Sequence, residues 1–428
     1  MLDLLVINCT LPDGRKNQDI AIKNGVIAEI APSLAGEAVE TIDAGGNLVT
    51  PPFIDPHFHM DATLSLGLPR LNESGTLLEG IQLWGELKPH LTKEALKERA
   101  HALCKWSIAR GTLAIRSHVD TSDPSLLAVE ALLEVKSEIA PWIDLQLVAF
   151  PQDGYLRSPG AIENLKRALD MGVDVVGGIP HFERTMEDGR LSVIALCELA
   201  AERGLMVDMH CDETDDPMSR HIETLSAETT RLGLQGRVAG SHLTSMHSMD
   251  NYYVSKLLPL VAEAEITAIP NPLINITIQG RHDTYPKRRG MTRVKEMNAM
   301  GINVALGHDC VMDPWYSLGS HDMLEVAHMA VHVGQMTGVS QMQEMFDAVT
   351  INSAKALGLE TYGLEPGKNA DMVILQASDP VEAIRLRAQR LYVLRRGKVI
   401  SKMAPQQAEL SLDGEHYAVD FRHSPSSE

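Results

Sequence analysis

Eight short apolar runs recur between residues 47 and 309, and they constrain the fold more than any other feature of the chain. They are NLVTPPFIDPHFH, TLAIRSHVD, DLQLVAFPQ, VDVVGGIPHFE, LMVDMHCDE, RVAGSHLTS, EITAIPNPL and INVALGHD. Amphipathic stretches of helical period lie between several of them. LTKEALKERAHALCKWSIARG ends on Gly111, a C-terminal stop. DPSLLAVEALLEVKSEIAPW offers Asp123 as an N-cap and Pro124 in the first helical position. Strand and helix in alternation over roughly 300 residues predict an α/β fold, a (β/α)8 TIM barrel. A doubly wound sheet lacks support, because no G-x-G-x-x-G follows the first strand.

The two ends of the chain have a different texture. LLVINC and DIAIKNGVIAEI read as strands, with Asn24-Gly25 as a hairpin turn. ADMVIL and LYVLRRGKVI carry the same pattern near the other end. One small β-sandwich domain built from residues 1–52 and 365–428 is therefore expected beside a barrel spanning 53–364. From about residue 402 the chain is polar and is expected to be irregular.

In a barrel of this kind, chemistry sits at the carboxyl ends of the strands. Most of the eight runs end in, or just before, residues that can bind metal, move protons or hydrogen-bond a ligand. The first gives His57 and His59, whose i, i+2 spacing on a strand lets both imidazoles face one ion. The fifth gives His210 and, three residues on, Glu213. His242 closes the sixth, Asp309 the eighth, and Gln152 follows the third. Three histidines and an aspartate form a nitrogen-and-oxygen set suited to one zinc or ferrous ion, with no thiolate demanded. Alternation turns Cys211 away from the face of His210, toward wall packing. His118 and His181 also end strands and read as structural.

Charge and cysteine usage narrow the partners. A formal net charge of -19 disfavours nucleic acid and anionic lipid surfaces. Five scattered cysteines without a C-x-x-C fit reduced thiols. No signal peptide and no run of eighteen apolar residues is evident. A cytoplasmic enzyme without a membrane span is the expectation.

The segments PPFIDPHFHMD, APWIDLQLVAFPQDG, VDMHCDETDD, QGRHDTYPKRRG and GHDCVMDPW together resemble the cytosine deaminases of the amidohydrolase superfamily. The resemblance runs over nearly the whole chain. It implies a metal-bearing barrel with a small β-domain, a homo-oligomer, and a free pyrimidine base as substrate. The metal ligands carry over onto His57, His59, His210 and Asp309. The proton-shuttling acid falls on Glu213, the water-orienting histidine on His242, and the reader of the pyrimidine amide edge on Gln152. Trp315 and Leu77 fall among the substrate-binding residues. The implied reaction replaces C–NH2 by C=O with release of ammonia, through water acidified by a divalent ion and acid–base work by Glu213. Polynucleotide-type deaminases use H-x-E followed by P-C-x-x-C. HFE occurs at 181–183, but the paired cysteines do not. The fourth run also lacks the lysine that bridges two metals in ring-opening relatives, which favours a single ion.

One position departs from the pattern. The residue after the metal aspartate is normally a second aspartate beside the ring, and here it is Cys310. A thiol is smaller, uncharged, and behaves as a small hydrophobe when buried. The substitution opens room at C5 of the ring, so 5-methylcytosine is the expected substrate, with cytosine and 5-fluorocytosine also accepted. A preference for cytosine, or for isocytosine, stays open from sequence, as does a non-catalytic pyrimidine- or metal-binding role. Zinc against iron, the oligomer number, and whether the basic loop at 279–290 is a lid or a subunit contact are also undecided.

Overall fold

The computed structural model describes residues 1–422. The N-terminal alternation forms β1 (Leu2–Cys9), β2 (Gln18–Lys23) and β3 (Val26–Ala31). Asn24 (φ +56°) and Gly25 (φ +74°) both sit in the left-handed region between β2 and β3, as the tight hairpin requires. β4 (Ala38–Asp43) then runs parallel to β1 and completes a four-stranded sheet of order β3-β2-β1-β4. β5 (Leu48–Thr50) leaves for a second sheet.

The middle of the chain forms a parallel sheet wound into a barrel. Its strands are β6 (Phe53–Phe58), β7 (Thr112–Asp120), β8 (Asp144–Phe150), β9 (Val175–Gly178), β10 (Met206–Cys211), β11 (Val238–His242) and β12 (Thr267–Ile269), hydrogen-bonded in sequence order. The run at 302–309, expected as an eighth strand, makes only isolated bridges: Ala268 with Val304, and Phe58 with Asp309. Asp309 takes φ +71°, outside the β region, which breaks regular pairing. The seam still closes through hydrogen bonds from Asp309 N to His57 O and from His59 N to Asp309 O, both 2.9 Å.

Two helix expectations fare differently. The helix Lys93–Ala109 is capped by Thr92 and stops before Gly111, at φ +75°. The next helix is Leu127–Ile139, and its N-cap is Leu126, so Asp123 does not cap it and Pro124 is not its first residue. The Asp123 carboxylate instead accepts from the backbone N–H of Ser125, closing a local turn that delays helix entry.

The second small sheet contains β13 (Met372–Leu375), β14 (Arg390–Arg395) and β15 (Lys398–Lys402), in the order β15-β14-β13-β5. One apolar cluster draws on both small sheets, with Leu4, Ile20 and Ile42 from the first and Val49, Ile374 and Leu394 from the second. Both termini thus build one β-sandwich against the barrel. The expected irregular tail is corrected: β16 (Ala408–Leu412) and β17 (Glu415–Val419) form an exposed antiparallel hairpin. Asp413 (φ +51°) and Gly414 (φ +86°) make its turn, an Asp-Gly signal present in the sequence. Residues 423–428 of the expected small domain lie outside the described residues. No described helix is long and apolar enough to cross a membrane.

Candidate functional site

The strand ends converge as the barrel geometry demands. His57, His59, His210, His242, Glu213 and Asp309 are all buried at one mouth of the barrel. His59 Nε2 lies 3.1 Å from His210 Nε2 and 3.4 Å from Asp309 Oδ1, and His57 Nε2 lies 3.8 Å from the same oxygen. Two ligand atoms about 2.1 Å from one tetrahedral ion sit roughly 3.4 Å apart, so these separations match the edges of such a site. His57 Nε2 is buried with no hydrogen-bond partner, as a ligand atom awaiting a cation would be. The donor set fits a divalent ion.

Burial holds the cluster histidines neutral. It lowers His59 to about 3 and pushes His57, His210 and His242 well below their ordinary value. The carboxyl groups move the other way. Burial raises Glu213 to about 8, and burial together with the nearby Glu213 and Asp313 charges raises Asp309 well above the carboxylate range.

Hydrogen-bond partners divide the histidines by role. Asn275 Oδ1 accepts from Asn271 N at 3.0 Å, which fixes the Asn275 amide so that its Nδ2 donates to His242 Nδ1 at 2.9 Å. The His242 proton is therefore on Nε2, which points at Asp309 Oδ2 from 3.7 Å. His242 thus presents a donor to the site. Its Nδ1, the nitrogen that accepts from Asn275, also lies 3.2 Å from Glu213 Oε1, so the acid and the histidine form one contact pair. His242 (φ +70°) and Asp309 (φ +71°) are both in the left-handed region, where a non-glycine backbone is strained and costs of order 1–3 kcal/mol.

A pocket opens beside the cluster. Gln152, Leu77, Cys310 and Trp315 all line it, as the resemblance implies, together with Glu213 and His242. The rest of its wall is largely apolar, with Ile81, Ile179, Phe182, Ile274 and Ile278. Cys310 is buried, its Sγ 3.5 Å from Asp309 Oδ1, and burial with the neighbouring carboxylates raises its thiol well above the ordinary value. It faces the pocket as a neutral S–H. Trp315 packs on the helix Leu77–Leu87 where Gly80 leaves room, since a Cβ there would meet Trp315 Cδ1 at 2.4 Å.

Cys211 is buried in the main apolar core, as alternation predicts. His118 stays below the pocket, its Nε2 3.0 Å from His57 Nδ1. His181 is corrected: beyond a structural bond from its Nδ1 to His210 O at 3.0 Å, its ring lines the pocket. Asn271 and Asn275 were not among the residues singled out from sequence. The signal was the polar NPLIN after the seventh strand, read there only as a strand end. In the basic loop, Arg288 holds Asp283 and donates to Asp215 O at 2.9 Å, tying the loop to the segment that follows His210.

Comparison with known proteins agrees with this geometry. The sequence model of the Amidohydrolase family matches residues 40–401. The chain is similar to the crystal structure of 5-methylcytosine deaminase from Klebsiella pneumoniae liganded with 5-fluorocytosine, at 43% identity and TM-score 0.91, covering 94% of this chain and 98% of that one. It is similar to N-isopropylammelide isopropylaminohydrolase from Burkholderia multivorans, at 26% identity and TM-score 0.83, covering 94% of this chain and 99% of that one. In sequence it is 29% identical to N-isopropylammelide isopropyl amidohydrolase of Pseudomonas sp. strain ADP, over 94% of this chain and 97% of that protein.

Proposed function

Since the chain belongs to the amidohydrolase family, we propose that it is a metal-dependent hydrolytic deaminase of a free aminopyrimidine base, converting 5-methylcytosine to thymine and ammonia. Cytosine and 5-fluorocytosine are accepted more weakly. The observation that carries the reading is the pocket in which a neutral Cys310 thiol and apolar side chains adjoin Glu213 and the histidine cluster. The 43% likeness to a 5-methylcytosine deaminase supports it.

In this reading His57, His59, His210 and Asp309 hold one divalent ion, zinc or ferrous iron. When bound, the ion supplies a Lewis acid that lowers the pKa of water from 15.7 to about 7. Gln152 reads the amide edge of the pyrimidine and sets the ring's orientation. His242, through its Nε2–H, orients the attacking water, and Asp309, a carboxylate when the ion is held, takes up its proton. Glu213 is protonated at neutral pH because burial raises it to about 8, so it can donate to ring N3 as the water oxygen bonds to C4. Left as a carboxylate, it takes the remaining proton of the added hydroxyl and passes it to the exocyclic amine, which leaves as ammonia, and the proton held by Asp309 then restores Glu213. Cys310 receives the 5-methyl group against sulfur where a carboxylate would repel it.

The test compares kcat/KM for cytosine, 5-methylcytosine and isocytosine by ammonia release, in the parent and in Cys310→Asp. A single methyl group in an apolar site discriminates by about 10–200-fold. 5-Methylcytosine is expected to exceed cytosine within that range, and the variant to shift toward cytosine. Cytosine winning in both proteins would leave a cytosine deaminase and remove the role of Cys310. Turnover of isocytosine alone would replace the substrate.

A further inference from the structure

Beneath the cluster, inside the barrel, lies a polar chain that the reaction does not use. Arg116 on β7 and Asp208 on β10 form an ion pair at 3.1 Å with both side chains fully buried. Arg116 is further held by Gln146 Oε1 at 3.0 Å and Ala356 O at 2.9 Å. Burying such a pair carries a desolvation penalty that its mutual attraction often only matches, and apolar side chains of similar volume would fill the space at no loss of stability. Its retention calls for another reason, and the next bond supplies one. Ser241 Oγ lies 2.7 Å from Asp208 Oδ1 and 2.9 Å from His57 Nδ1.

Hydrogen-bond logic assigns the protons from Arg116 to His57. The carboxylate beside Arg116 only accepts, so the Ser241 hydroxyl proton points to Asp208. The serine oxygen then has only lone pairs for His57, and the proton between them belongs to His57 Nδ1. His118 Nε2 lies 3.0 Å from the same nitrogen, and its own Nδ1 has no partner. His57 Nε2 is left with a lone pair aimed at Asp309 and the other histidines. This is the reverse of His242, whose asparagine partners leave a proton on the nitrogen facing the cluster.

We propose that Ser241, Asp208 and Arg116 are positioning residues that hold the His57 ring with its Nε2 lone pair turned toward the metal-binding cluster. The relay acts through His57 and touches neither substrate nor reacting atoms. It rests on the reading that the cluster holds a divalent ion. The guanidinium keeps Asp208 an acceptor, Asp208 orients the serine hydroxyl, and the serine selects the histidine tautomer. Outer partners of this kind are worth 10–100-fold in metal affinity.

The experiment measures zinc affinity of the full chain by competition with a chromophoric chelator, for the parent, Ser241→Ala, Ser241→Thr and Asp208→Asn. Thermal unfolding of the metal-free proteins is recorded in parallel. Ser241→Ala is expected to weaken zinc binding about 10–100-fold with little change in metal-free unfolding, and Ser241→Thr, which keeps the hydroxyl, to restore it. With zinc saturating, the Ala variant should recover most of the parental kcat. If Asp208→Asn fails to fold with Arg116 left unpaired, the serine pair decides alone. Parental zinc affinity in Ser241→Ala, or equal loss in Ala and Thr, overturns the relay while leaving the metal site intact. A parent that binds no divalent ion overturns the metal site itself.

Discussion

At the scale of single residues, the protonation state of each side chain follows from its neighbours. Burial raises Glu213 to about 8, which keeps it protonated at neutral pH for the acid role proposed for it, and Gln in its place keeps the shape but has no proton to shuttle. Glu213→Gln is therefore expected to lose about 10²–10⁴-fold in kcat while keeping its metal content, read by ammonia release and metal analysis on the same preparation. Asn275 acts one step back, by fixing the proton on His242. Asn275→Ala frees that ring to flip, so kcat should fall while zinc affinity stays parental. A fall in zinc affinity instead would make His242 a ligand. The cluster histidines His57, His59 and His210, with Asp309 and Glu213, were legible in the sequence because each ends or closely follows a strand-like run within a family segment. Asn275 was not, since its value lies in a bond to a histidine on a different strand.

At the scale of elements, the helix Leu77–Leu87 covers the pocket. Thr76 caps it, and Leu77 and Ile81, four residues apart, face the pocket from one side of it. Gly80 lies between them and lets the Trp315 ring reach the helix backbone, while Trp84 stands 6.0 Å from Trp315 and donates to Asp120 Oδ2 at 2.9 Å. Gly80→Ala pushes a methyl into the tryptophan. Overpacking of this kind costs about 1–3 kcal/mol. The predicted result is a raised KM for the pyrimidine with parental zinc content, measured by steady-state kinetics. Unchanged kinetics would show that Trp315 does not shape the bound site. The Gly111 stop of the Lys93–Ala109 helix was legible in the sequence, but the entry of the Leu127–Ile139 helix was placed too early. A carboxylate that can cap a helix can equally close a turn, and only the path of the backbone decides between them.

At the scale of the whole molecule, the barrel and the β-sandwich are joined by charge as well as by apolar contact. Asp322 caps the helix Met323–Val333 on the barrel side and binds Arg390 of β14, both buried. Burial alone would raise the Asp322 carboxyl, but the Arg390 charge and hydrogen bonds outweigh it and hold it below its ordinary value. A carboxyl lowered in the folded state adds stability above its unfolded pKa, about 3.9, and loses it as pH falls through the folded value. Asp322→Asn leaves Arg390 buried without its counter-charge, so it should cost about 3–5 kcal/mol at pH 7 in urea unfolding. The gap to the parent should narrow as pH falls from about 4 through the lowered folded value, below which the parental carboxyl is neutral in both states. A gap independent of pH would mean that the cap and not the charge matters. The sequence by itself determined the alternation that makes a barrel, the strand ends that carry the histidines and acids, and the Cys310 departure, because these are local patterns of period and position. Only the tertiary structure decided that the eighth stave is held by bridges, that Asn275 and Ser241 set opposite tautomers on His242 and His57, and that Arg390 meets Asp322. Each of those depends on atoms brought together from distant parts of the chain, and hydrogen bonds and buried charges are set by that proximity and not by spacing along the sequence.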